Sequence, residues 1–86
     1  MTNFEKTVEA AGKKVEDVTK IYRGKDHACR CGCRGHYYER GTEGFERIIK
    51  AMNKAVLAEE EIEVYDNFIN VPFDIKNDKC FTIYFN

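Results

Sequence analysis

Three cysteines, two histidines and a run of basic residues fall within one short stretch, Tyr22 to Tyr38, which reads Y-R-G-K-D-H-A-C-R-C-G-C-R-G-H-Y-Y. Cys29, Cys31 and Cys33 alternate with Arg30, Gly32 and Arg34, and His27 and His36 flank them. Side chains of these types can hold a metal, hold an anion, or pack as small apolar groups. Thiolates and imidazoles are the ordinary ligands of tetrahedral zinc. His27, Cys29, Cys31, Cys33 and His36 are therefore candidate metal ligands, with Cys80 as a further donor. An extended strand resists this, because alternate cysteines would lie ~6.6 Å apart along one face. Sulfurs sharing one zinc sit only ~3.8 Å apart. The segment would have to curl, which Gly32 and Gly35 permit.

The same stretch suits an anion. Tight turns at Gly24, Gly32 and Gly35 can point successive N–H groups at a bound oxyanion. Arg23, Lys25, Arg30 and Arg34 can add charge-assisted bonds to phosphate. Tyr22, Tyr37 and Tyr38 offer flat faces on which a base can stack, although ordinary strand packing explains tyrosines equally well. Neither a Walker loop nor a dinucleotide fingerprint is present. In the third reading the thiols are buried as small apolar groups, and Cys80 is expected to pack in this way beneath the main helix. Catalysis is not expected. Nearby arginines lower a thiol pKa, but a nucleophile also needs an oriented base and a cleft, and so short a chain builds little cleft.

What must position this stretch is a single domain spanning residues 1–86. A chain of this size buries roughly 60–65% of its unfolded surface and is only marginally stable alone. Hydrophobic residues make up 43%, including six Phe and five Tyr, which places the chain among globular domains and not disordered ones. The net charge of −1 is uneven: from Arg23 to Arg40, Arg23, Lys25, Arg30, Arg34 and Arg40 stand against only Asp26 and Glu39. A local basic site on a mildly acidic body favours a local anion partner over broad duplex binding. No apolar run approaches the roughly 20 residues of a membrane span. The start, M-T-N-F-E-K, lacks the layout of a secretion signal. The cysteines are thus expected in a reducing cytoplasm, as free thiols or metal ligands.

Along the chain, Thr2 and Glu5 form a capping box that opens a short helix with Phe4, Val8 and Ala11 on one stripe, and Gly12 is a suitable stop. A longer, Gly-interrupted helix through Val15 and Val18 stays open. Val18 to Arg23 reads as a strand, and His36 to Arg40 as its antiparallel partner, with the cysteine segment between them. Thr42 caps the main helix, roughly Glu43 to Glu59, with Phe45, Ile48, Ile49, Met52 and Val56 on the apolar face. Glu46, Arg47, Lys50, Asn53 and Lys54 form its solvated face. Ile62 to Val71 suggests a hairpin turning at Asp66-Asn67, and Phe81, Ile83 and Phe85 alternate in a final strand. Pro72 marks an edge or a bend. The expected fold is α+β: an antiparallel sheet of about four strands, one main helix packed on one face and a short N-terminal helix. An exposed edge at Tyr84 or Tyr65 leaves a homodimer open.

The pattern Y-x-G-K-x-x-x-C-x-C-G-C-x-G-x-Y-Y, carried here by Tyr22 to Tyr38, resembles a motif of small tailed-bacteriophage proteins. The likeness spans about 17 of the 86 residues. It implies a phage accessory protein in the host bacterial cytoplasm that acts by binding. The implied targets are components of a bacterial defence system, blocked in the manner of anti-CRISPR proteins, or a nucleotide second messenger held as by a sponge. The alternative is a zinc-stabilised nucleic-acid-binding module. A further surface, the acidic run Glu59, Glu60, Glu61, Glu63 and Asp66, could mimic nucleic acid, or serve only as a solvated edge that discourages aggregation.

Overall fold

Thr2 opens the first helix. Its hydroxyl accepts the Glu5 N–H at 3.3 Å, and the Glu5 carboxylate accepts the Thr2 N–H, also at 3.3 Å. This is the reciprocal cap that the T-x-x-E spacing predicts. The computed structural model describes residues 2–25 and 36–86, the Lys25 side chain excepted. Helix α1 covers Asn3–Ala10. It stops where Gly12 takes φ 74°, a left-handed conformation that costs glycine little. It does not run on through Val15 and Val18. Instead a 3-10 turn at Val15–Asp17 leads into strand β1, Val18–Lys25.

Strand β2 (His36–Glu39) pairs antiparallel with β1, from Lys20 opposite Glu39 to Arg23 opposite His36. Helix α2 follows over Glu43–Lys54, then β3 (Glu63–Val64), β4 (Phe68–Asp74) and β5 (Lys79–Phe85). All pairings are antiparallel, in the spatial order β2-β1-β5-β4-β3. The sheet has five strands where about four are expected, and the two-residue edge strand β3 is the first arm of the Ile62–Val71 segment. The hairpin turn expected at Asp66-Asn67 joins β3 to β4.

Alternation along the strands sorts the core. Val18, Ile21, Ile69, Val71, Phe81, Ile83 and Phe85 meet Phe4 and Val8 of α1 and Phe45, Ile48 and Met52 of α2 in one apolar cluster. Both helices therefore cover the same sheet face. Cys80 is buried, as expected of a small apolar group, but it sits in β5 between the core residues' positions and faces away from α2. Tyr84 also requires correction. It lies on β5, the central strand, so the edges open to another chain are β2 and β3.

Helix α2 is shorter than its sequence pattern predicts, and Val56 is 89% exposed instead of core-facing. Two asparagines account for the early stop. The Asn3 amide donates to the carbonyls of Met52, Asn53 and Ala55 at 3.2, 3.2 and 3.0 Å, satisfying acceptors that the helix end leaves free. In return the Asn53 side chain accepts the Phe4 N–H at 2.9 Å. Asn53 is thus a clamp between helices and not part of a solvated face. Pro72 stands opposite Cys80 beyond the reach of β3, next to a register shift between Pro72 and Asp74. That is a bend of the kind proline tolerates.

Candidate functional site

The strand pair β1–β2 is what presents the Cys- and Arg-rich stretch. Its last ladder pair, Arg23 opposite His36, brackets residues 26–35. His27, Cys29, Arg30, Cys31, Cys33 and Arg34 lie outside the described residues, as does the side chain of Lys25. The backbone of Lys25 pairs with Lys79.

Strand alternation divides the remaining candidates between two faces. Tyr22 and Tyr37 stand opposite each other on the face away from the helices, with ring centroids 5.0 Å apart. Arg23, His36 and Tyr38 project toward the helix side, because Arg23 shares its row with Phe81 of the core and Tyr38 shares its row with Ile21. One ligand therefore does not contact all three tyrosines. The same split separates His36 from Cys80, so a single ion held at one face takes only one of them. Among the described residues no group of three or more His, Cys, Asp or Glu side chains is placed to hold a metal ion.

On the helix side, Arg23, Tyr38, Arg47, Ile48 and Ala51 line an open notch of about 240 Å³. The Arg23 guanidinium carbon lies 5.4 Å from the centre of the Phe73 ring, a cation–π stack that holds it over the sheet. Arg47 reaches back one helical turn to Glu43 at 3.0 Å, with both side chains largely exposed. Tyr38 lies against the first turn of α2, where a Cβ on Gly44 would meet its Cδ1 at 2.9 Å. The absence of a side chain at Gly44 is what admits the ring. Sequence reasoning missed Arg47, which falls on the polar helix face. The signal available was its spacing behind Glu43 and the unexplained glycine inside a helix.

Arg40, counted with the basic cluster, does structural work. Its Nε donates to the Val18 carbonyl at 2.6 Å, a terminal nitrogen donates to the Val15 carbonyl, and its guanidinium stacks 5.3 Å from the Phe45 ring centre.

The face away from the helices forms a second layer. Tyr22, Asn70, Cys80 and Thr82 are all under 5% exposed there, at 4, 3, 1 and 0%. Rings run across it from Tyr37 to Tyr84 (6.2 Å), from Tyr84 to Phe68 (5.8 Å) and from Phe68 to Tyr65 (4.5 Å). The Lys20 ammonium lies 4.9 Å from the Tyr37 ring centre and 5.0 Å from that of Tyr84. Burial, then the neighbouring Tyr37 hydroxyl, pushes the Tyr84 pKa up.

The acidic run is spread over three elements. Glu59–Glu61 form a 3-10 turn, Glu63 lies on β3 and Asp66 in the following turn. Glu59 meets Lys6 at 3.6 Å and Glu63 accepts the Tyr65 hydroxyl at 2.8 Å. No helix among the described residues is long and apolar enough to cross a membrane. No protein-family model, curated protein or solved structure matches this chain.

Proposed function

We propose that this chain acts by binding, from the end of the sheet where β1 gives way to β2. In the context implied by its motif, it is a phage accessory protein that inhibits a bacterial defence component. The observation that carries the reading is the ladder pair Arg23–His36. Strands β1 and β2 pair up to the two sides of the segment 26–35, whose sequence carries Arg30 and Arg34 next to Lys25 and Arg23. Arginines suit a phosphate-bearing or carboxylate-rich target. In this reading the cysteines shape the segment around a zinc ion, while the arginines engage the target. Zinc, where held, adds one ion's mass to the reduced protein in native mass spectrometry.

The test is biological. Expression of the chain in a bacterium that restricts a phage should raise that phage's plating efficiency. The variant Arg30→Ala/Arg34→Ala should lose the effect while melting at the same temperature as the parent. Unchanged plating across hosts carrying CRISPR or nucleotide-signalling defences would sink the inhibitor reading. Strongly salt-dependent retention on generic DNA or RNA would redirect it to the nucleic-acid module, since phosphate contacts release counterions.

A further inference from the structure

We propose that the notch between β1–β2 and α2 binds a small phosphate ester carrying a planar ring, of which a nucleoside monophosphate is the simplest case. The proposal deepens the binding reading and rests on it in one respect, namely that Arg23 faces an anion. The lining carries its own chemistry. Two arginines, Arg23 and Arg47, line the notch together with the aromatic Tyr38 and the apolar Ile48 and Ala51. Guanidinium offers paired donors that match two oxygens of one phosphate. A planar ring finds in Tyr38 a surface to stack on and in Ile48 an aliphatic one. At about 240 Å³ the notch falls just short of sites that seat drug-sized ligands, so it suits a mononucleotide held in part and not a larger cofactor.

Both arginines are poised for this. Arg23 is already stacked over Phe73, which limits the rotamers it must give up on binding. Arg47 is tied only to Glu43, in an exposed pair one helical turn apart. Such pairs are weak, so a phosphate can recruit Arg47 from its carboxylate. Gly44 completes the site, because a larger residue would push Tyr38 away from the helix and into the notch.

The experiment titrates the full-length chain, labelled with ¹⁵N, with adenosine 5′-monophosphate, with inorganic phosphate and with adenosine at low salt. The monophosphate is expected to shift the amide signals of Arg23, Tyr38, Arg47 and Ala51 saturably and to bind more tightly than either half alone. Arg47→Ala should weaken it about tenfold or more, as loss of a charged hydrogen-bonding partner does, with the folded spectrum otherwise preserved. Arg47→Lys should recover part of the affinity. A 5′-phosphorylated oligoadenylate tested beside it separates a free nucleotide from a strand end. No saturable shift at millimolar ligand, or binding indifferent to Arg47→Ala, would overturn the assignment. The readout involves no host factor, so it stands or falls apart from the plating assay.

Discussion

Thr82 is fully buried on the sheet face away from the helices, and its hydroxyl donates to the Asn70 amide oxygen at 2.8 Å across two neighbouring strands. Cys80 Sγ lies 3.8 Å from the same hydroxyl. A pair like this contributes modestly when made and costs more when broken from one side. Thr82→Val should therefore destabilise by about 1–3 kcal/mol in urea melts, because a buried amide oxygen loses its donor. Replacing both partners, Thr82→Val with Asn70→Leu, should restore part of that loss, and a double-mutant cycle reads the coupling. Additive losses would mean the two side chains do not depend on each other. This layer was illegible in the sequence. Period-2 alternation marked Phe81, Ile83 and Phe85 as the apolar face of β5 and carried no reading of the opposite row beyond Cys80. The alternation was right about facing and silent about the burial of Thr82, which is as buried as the core.

At the scale of elements, the junction of α1 and α2 depends on two asparagines that each cap the other's helix. Asn3→Ala or Asn53→Ala should each cost about 1 kcal/mol, the usual worth of a lost cap. The double variant should cost less than the sum, because the first loss already loosens the contact that the second relies on. Hydrogen exchange at Phe4 and in the last turn of α2 should rise together in either single variant. Protection lost at one helix alone would refute the reciprocal clamp. Helix starts were legible because a cap is a local signal: Thr2 with Glu5, and Thr42, whose hydroxyl accepts the Phe45 N–H at 3.2 Å. The end of α2 was not, because its stop is supplied by Asn3, some fifty residues earlier in the chain. The strand pair flanking the cysteine segment was also readable. Period 2 already puts the adjacent Tyr37 and Tyr38 on opposite faces; what it does not convey is the register that sets Arg23, His36 and Tyr38 on the helix side and Tyr22 beside Tyr37 on the other. Arg47 joins that site only through the packing of α2 on β1 and β2.

Taken whole, the molecule should tolerate alkali poorly. Burial holds the Tyr84 proton to higher pH in the folded state than in the unfolded chain, and the adjacent Tyr37 adds to this. The stability so contributed is complete below about pH 10, where an unfolded tyrosine still keeps its proton. It is lost as pH rises from there toward the folded value, because only the unfolded chain then gains by ionising. Tyr84→Phe should flatten the alkaline limb of the melting-temperature profile while leaving the neutral region little changed. An unaltered limb would place the sensitivity elsewhere. The position of this tyrosine carries a further consequence. Strand β5 is the last of the five to be synthesised, yet it lies at the centre of the sheet, between β1 and β4. Without it no ladder joins the pair β2-β1 to the pair β4-β3, and two-stranded pairs are marginal alone, so the sheet depends on its last strand. Closure then pairs the earliest strand with the latest, the kind of long-range contact that slows folding.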